Sequence, residues 1–147
     1  ACAQLERADE LIAARRAVHA GWRARLEPYE GLTFQGVYGE PAPWLTGVRV
    51  GRAFTGMLVH DLARGLEERG IDTRPGFYPL PRLPHCEPRP VTGFSLAEGL
   101  TSIAPPVECP QADALLRDLL ILPSGPGITP AQQDEVVAAI LQITGRG

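Results

Sequence analysis

The residues best suited to chemistry lie in one short segment, IDTRPGFYPLPRLPHC, at residues 71–86. Its candidate substrate- or partner-binding residues are Arg74, Phe77, Tyr78, Arg82 and His85. A guanidinium on a loop can bind a carboxylate or a phosphate through two parallel hydrogen bonds. Pro75 favours an extended backbone at Arg74. We therefore predict a site for a small anionic ligand in this segment.

Each of these residues also has a structural alternative. Arg74 can cap a helix or form a surface ion pair, and a lone histidine such as His85 is more often solvated than catalytic. Phe77 and Tyr78 point to opposite sides of an extended segment, so one of them should pack in the core and the other can line a pocket. Because no clear acid–base pair is visible, no catalytic residue is assigned.

Other polar motifs indicate structure rather than chemistry. Ser124 lies in PSGPG, whose glycines are misplaced for the G-x-S-x-G elbow of hydrolases, so a structural turn is expected there. The cysteines Cys2, Cys86 and Cys109 are widely spaced, and no C-x-x-C occurs. Together with scattered histidines they do not give the ligand spacing of a zinc site. We predict no metal site, and reduced thiols in a cytoplasmic protein.

The composition narrows the class of partner. The chain has 147 residues, of which 44% are hydrophobic and 21% are charged, as in one globular domain. A net charge of -3 gives no reason to expect nucleic acid as a partner. No apolar run approaches the roughly 20 residues of a membrane span, so no membrane partner is expected. All 14 basic residues are arginines, and lysine is absent.

A long amphipathic helix is predicted at residues 3–27. Its apolar residues recur near the 3.6-residue period, and Pro28 ends it. At 1.5 Å per residue the helix is about 37 Å long, which is more than a small domain can cover. Part of it should therefore pack on another molecule, and the expected interface residues are Leu5, Leu11, Ile12 and Trp22.

The other elements follow from local pattern. Alternation and a buried apolar run predict strands at residues 32–37, 44–50, 71–73 and 119–122. Helical periodicity predicts helices at residues 54–69, 111–118 and about 130–144. Thr55 is a plausible N-cap, Gly70 a C′ glycine, and Thr129 to Gln132 a capping box. One or two further helical turns are expected near residues 95–102.

This order of elements predicts a single α+β domain over residues 1–147. It has two layers, with a short, mostly antiparallel sheet and helices on one face. The long N-terminal helix precedes an α/β body at residues 32–147. Within that body, residues 74–110 form a segment with nine prolines.

Three segments then suggest a family. AQLERADELIAARRA (3–17), LARGLEERGIDTRPGFYPLPRLPHC (62–86) and ILPSGPGITPAQQDEVVAAI (121–140) resemble, in order, parts of the DegT/StrS-type sugar aminotransferases, which use pyridoxal phosphate (PLP). The matching parts are the helix that links the two domains, a small-domain stretch, and the final strand, turn and helix. The chain departs from the family pattern at Pro81, where histidine is common, so a role of that imidazole is lost or moved to His85.

The resemblance implies a position in a larger enzyme. The chain matches only the C-terminal third, the small domain of a fold-type I aminotransferase. In this family the large domain holds PLP and its Schiff-base lysine. A chain without lysine cannot form that Schiff base, so it should not be a self-sufficient PLP aminotransferase. We expect no cofactor bound by this chain alone, and PLP only through a partner large domain.

Three functions fit these expectations. The favoured one is a stand-alone small domain that depends on a partner or associates with itself in amino-sugar or secondary-metabolite biosynthesis. Its partner is then a PLP-containing large-domain protein or a second copy in a homodimer, and its ligand can be a sugar nucleotide. One alternative is a small repurposed enzyme or ligand-binding protein that uses residues 74–85. The other is a fragment of a complete PLP aminotransferase.

Overall fold

The computed structural model describes residues 2–36, 39–83 and 108–146. The α helices in these ranges are α1 (Cys2–Leu5), α2 (Ala8–Leu26), α3 (Arg52–Thr55), α4 (Val59–Glu67), α5 (Pro110–Asp118) and α6 (Pro130–Ile143). The strands are β1 (Leu32–Phe34), β2 (Thr46–Val50), β3 (Arg74–Pro75) and β4 (Leu119–Leu122). A short 3₁₀ turn covers Leu80–Arg82. None of the helices in these ranges is long and apolar enough to cross a membrane.

The strands form one four-stranded antiparallel sheet in the order β1-β2-β4-β3. The central strands β2 and β4 are the most buried, because each has a neighbour on both sides; Val48 pairs with Leu120 at the middle of the sheet. Helices α2, α4 and α6 pack around a common core with these strands. The predicted α+β fold with a short antiparallel sheet is therefore confirmed.

The long helix predicted at residues 3–27 is interrupted near its start. A turn at Glu6 and Arg7 separates α1 from α2, and Arg7 occupies the N-cap position of α2 without a side-chain cap. The second half of α2 packs on the core through Val18, Trp22 and Leu26. The first half is more open, since it contributes no residue to that buried set.

Trp22 corrects one predicted interface position. Its side chain is 0% exposed, and its indole Nε1 donates a hydrogen bond of 2.9 Å to the carbonyl oxygen of Pro123. It therefore packs inside the chain and is not available to a partner. Leu5 is exposed, and Leu11 and Ile12 are half-buried, so these three remain candidate interface residues.

The helix predicted at residues 54–69 is also divided. Gly56 follows α3 with a φ of 64°, a left-handed conformation that ends the helix. Thr55 is the last residue of α3 and not an N-cap. Its hydroxyl donates a hydrogen bond to the carbonyl oxygen of Met57 and accepts one from the Met57 amide. Gly70 has the left-handed φ expected of a terminating glycine, 75°, two residues after the C-cap Glu68 of α4.

Strand ends differ more from expectation than strand positions do. β1 and β2 lie inside the predicted ranges but are shorter, and the strand predicted at residues 71–73 forms instead at Arg74–Pro75. β4 has the predicted bounds. The helical turns expected near residues 95–102 lie outside the described residues.

The C-terminal helix begins as its sequence predicts. The Thr129 hydroxyl accepts a hydrogen bond from the amide of Gln132, and the Gln132 side chain accepts one from the amide of Thr129. These reciprocal bonds satisfy two amides that a helix start otherwise leaves unpaired. The capping box is confirmed, and α6 runs to Ile143.

Helices α2 and α6 meet at a buried polar contact. Gln133 of α6 is 2% exposed, and its Nε2 donates a hydrogen bond of 2.9 Å to the carbonyl oxygen of Val18. Gly21 lies directly against the Gln133 carboxamide, and a methyl group at Gly21 would overlap it. The small residue on α2 is therefore what allows the glutamine to reach its partner.

We predict that Gly21→Ala destabilises the fold even though alanine favours helix by up to about 1 kcal/mol over glycine. The displaced glutamine loses a buried hydrogen bond, which costs about 1–3 kcal/mol. In a Gln133→Ala background the overlap is gone, so Gly21→Ala should stabilise. Urea unfolding of the parent chain, the two single variants and the double variant measures the free energy of unfolding in each background. A Gly21→Ala change of the same sign in both backgrounds would contradict this packing.

Candidate functional site

The segment singled out by its chemistry leaves the sheet at β3 and runs alongside α5. The amide of Gly76 donates a hydrogen bond of 2.9 Å to the carbonyl oxygen of Leu119. A side chain at Gly76 would be crowded, because its Cβ would lie 3.2 Å from the Cβ of Leu119 and 3.4 Å from the carbonyl oxygen of Leu115. Further along, Arg82 reaches back to Asp113 of α5. Residues 76–82 are thus held against one helix.

Both aromatic rings of this segment face outward. Phe77 is 68% exposed and Tyr78 is 64% exposed, so the prediction that one of them packs in the core is wrong. The buried positions of the segment are Gly76 and Pro79 instead. Leu80 is exposed as well. Phe77, Tyr78 and Leu80 together form the exposed aromatic segment of the chain.

The two arginines of the segment differ in their surroundings. The Arg74 side chain is 76% exposed, and its guanidinium lies 3.8 Å from the exposed carboxylate of Asp72. A pair this exposed contributes little to stability, so the guanidinium can exchange Asp72 for a ligand. Arg82 instead donates two hydrogen bonds, of 3.0 and 3.2 Å, to Asp113. These bonds hold the pKa of the Asp113 carboxyl below its usual value and raise the pKa of Arg82.

The structure therefore brings together part of the predicted site. Arg74, Phe77 and Tyr78 share one exposed stretch, and Arg82 fixes that stretch to α5 through its ion pair. His85 lies outside the described residues. Whether these side chains bind a ligand stays a prediction.

Sequence reasoning missed a cleft at the opposite end of β3 and β4. It has a volume of ≈ 420 Å³, and it is lined by parts of α2, the turn after α4, the loop after β4, and the first half of α6. Its residues come from four separate stretches of sequence, so no local motif could have shown it.

Polar contacts beside this cleft are structural. The Ser124 hydroxyl accepts a hydrogen bond of 2.8 Å from the amide of Thr46 and donates one of 2.7 Å to the carbonyl oxygen of Leu122. His19 of α2 lies with its Nδ1 3.2 Å from the hydroxyl oxygen of Thr46. These bonds join α2, β2 and the turn after β4, and they agree with the structural interpretation of Ser124.

No group of three or more histidine, cysteine, aspartate or glutamate side chains with metal-binding geometry occurs in the described parts of the chain. Within those parts, the chemistry on offer is hydrogen bonding, charge and apolar contact.

Fold and sequence together define the class of protein. The family model of the DegT/DnrJ/EryC1/StrS aminotransferases matches residues 1–141, and the chain belongs to that family. GDP-perosamine synthase of Caulobacter vibrioides is 31% identical over 150 residues, which is 96% of this chain and 34% of that protein. The putative pyridoxal phosphate-dependent aminotransferase EpsN of Bacillus subtilis is 27% identical over 143 residues, 96% of this chain and 33% of that protein.

A solved structure agrees on the fold. PseC of Helicobacter pylori, an aminotransferase involved in the biosynthesis of pseudoaminic acid, superposes with a TM-score of 0.76 at 14% identity. The match covers 99% of this chain and 36% of PseC. The chain thus spans about a third of the length of the relatives it matches.

The residues present do not fit PLP by themselves. Enzymes hold this cofactor through a primary amine that forms a Schiff base, and lysine is the side chain that supplies it. All basic residues of the chain are arginines, and a guanidinium is not such an amine. The part of the family's chemistry that needs this lysine therefore lies outside these 147 residues.

The half-buried position of His19 predicts a pH-dependent stability. Burial, and next the charge of Arg23, lower the pKa of His19 below its ordinary value of 6.5. The unfolded chain then binds the proton more readily than the folded chain, so this contribution is complete above pH 6.5 and is lost as the pH falls below it. His19→Asn should flatten the slope of unfolding free energy against pH in that window.

Urea unfolding at several pH values between about 5 and 7.5 measures this slope. His60→Asn is the control, since His60 is exposed on α4. Equal slopes for the His19 variant and the parent chain would contradict the assignment.

Proposed function

We propose that this chain acts as the small domain of a PLP-dependent sugar aminotransferase, together with a large domain that supplies PLP and its lysine. The observation that carries the proposal is a family match over residues 1–141 of a chain that contains no lysine. The relatives that it matches are about three times as long. The large domain lies outside these 147 residues, and the two domains meet in the cytoplasm.

The exposed aromatic segment supports such a partnership. Large apolar side chains grouped on a surface mark sites of contact with another molecule. Phe77, Tyr78 and Leu80 follow one another on a stretch that Gly76 and Arg82 hold against α5. A surface fixed in this way loses little conformational freedom when it is covered. The exposed aromatic segment would close one side of the substrate cavity against the large domain and exclude water from it.

Arg74 supports an anionic substrate. GDP-perosamine synthase is named for a nucleotide-linked sugar, and sugars of this kind carry a diphosphate. Arg74 has an exposed guanidinium beside the aromatic segment, and guanidinium groups bind phosphate oxygens through paired hydrogen bonds. We infer a nucleotide-linked sugar as the substrate class, in a pathway that makes amino sugars for a glycan or a secondary metabolite.

The proposal predicts where aminotransferase activity resides. The native assembly recovered with an affinity-tagged chain should transfer an amino group from an amino acid donor to a nucleotide-linked keto sugar. The isolated 147-residue chain with added PLP should not, because it has no lysine to hold the cofactor. Product formation followed by mass spectrometry separates the two. Turnover by the isolated chain would contradict the division of labour proposed here.

A second prediction concerns Arg74 within that assembly. Arg74→Ala should weaken the binding of the anionic substrate by about 1.5–3 kcal/mol, the range for hydrogen bonds to charged groups. The measured quantity is KM, with kcat followed in parallel. Arg52→Ala, an exposed arginine on α3, is the matched control and should leave KM unchanged. An unchanged KM in Arg74→Ala removes Arg74 from the site.

A further inference from the structure

The cleft beside α6 has an apolar wall. Its apolar lining includes Trp22, Ile71, Ile128 and Val136. Trp22 lies behind this wall, since its side chain is 0% exposed and its Nε1 is bonded to Pro123. The accessible apolar surface comes from Ile71 and Ile128. An occupant must therefore bring an apolar part to this wall, and the cleft volume of ≈ 420 Å³ suits a side chain or a small ligand.

The polar lining has two carboxylates with free acceptor capacity. Ser124 and Gln132 also line the cleft, but the serine hydroxyl is used by Thr46 and Leu122, and the glutamine carboxamide caps α6. The remaining polar side chains of the lining are Asp72 and Glu135. Both are acceptor-only when ionised, so they favour a ligand that donates hydrogen bonds.

No cation of the described chain neutralises Glu135. The preceding residue, Asp134, pairs with Arg25 at 2.7 Å, whereas Glu135 forms no ion pair with residues 2–36, 39–83 or 108–146. Asp72 has one distant partner in those ranges, Arg74 at 3.8 Å. An anion in the cleft would be repelled, and a purely apolar ligand would leave both carboxylates covered without a donor, which is costly.

We propose that this cleft binds a guanidinium group on an apolar stem, as in an arginine side chain. The planar guanidinium donates in a fork that matches a carboxylate, and it is weakly enough hydrated to pack against apolar surface. Its methylene stem covers the apolar wall. Lysine fits less well, since its ammonium is compact and strongly hydrated.

This site shares only Asp72, the ion-pair partner of Arg74, with the proposed aminotransferase role, and Glu135 belongs to the cleft alone. Asp72 precedes β3 and Ser124 follows β4, whereas Gly76 and Leu119 mark the other end of the same strand pair, where the exposed aromatic segment lies. Failure of one proposal therefore leaves the other standing.

The test is a titration of the Trp44→Phe chain with N-acetyl-L-arginine amide. The chain has two tryptophans, so in this variant fluorescence reports Trp22 behind the cleft wall. We expect a saturable change with a Kd on the order of 1 mM. The citrulline analogue has the same shape without the charge and should bind at least about tenfold more weakly. Added salt should weaken the arginine probe.

Glu135→Gln in the same background should weaken the arginine probe about tenfold or more, while Glu67→Gln, an exposed acid of α4, should not. Circular dichroism checks that both variants are folded. Butylguanidine has the guanidinium and an alkyl stem but no peptide groups, so it distinguishes a small ligand from a peptide. If butylguanidine binds as tightly as N-acetyl-L-arginine amide, the cleft recognises the side chain alone, as a small ligand would supply it. If N-acetyl-L-arginine amide binds more tightly than butylguanidine, the cleft recognises an arginine within a peptide. Absent saturation, equal binding of citrulline, or an unaffected Glu135→Gln chain would overturn the proposal.

Discussion

The burial of Trp22 is the interaction on which the rest of the structure depends. The indole fills the space between α2, the sheet and α6, and its hydrogen bond to Pro123 fixes the turn that follows β4. That turn in turn positions Ser124, which joins β2 to β4 through side-chain bonds. Helix α2, which precedes the α/β body in sequence, is thus part of the core, and the same indole lies behind the wall of the cleft beside α6.

The absence of lysine is a chemical constraint of the same weight. The chain belongs to a PLP-dependent family, but its residues cannot hold PLP. Both facts are explained if this chain supplies binding surfaces and another domain supplies the reactive lysine. The exposed positions of Arg74, Phe77 and Tyr78 suit this division, because side chains that complete a site on another domain remain accessible on the surface of their own.

The correct sequence predictions concern features that depend on residues close together in the chain. The capping box at Thr129 and the strand at Leu119–Leu122 involve residues that are adjacent or three apart, so pattern suffices. The errors arise where distant packing decides. Gly76 and Pro79 take the inward positions that an aromatic residue was expected to fill. A Cβ at Gly76 would lie only 3.2 Å from the Cβ of Leu119 in β4, which leaves little room for a larger side chain. The cleft needs four separate stretches to meet, and periodicity carries no information about that.

The most direct test of the central claim is native mass spectrometry of the tagged chain purified from the cells that produce it. The account predicts that these 147 residues are recovered together with a lysine-bearing large domain that carries one PLP on its lysine, and that no PLP is attached within the 147 residues. Recovery of these 147 residues without any such domain, or with PLP attached to them, would contradict the proposed role beside a PLP-binding domain.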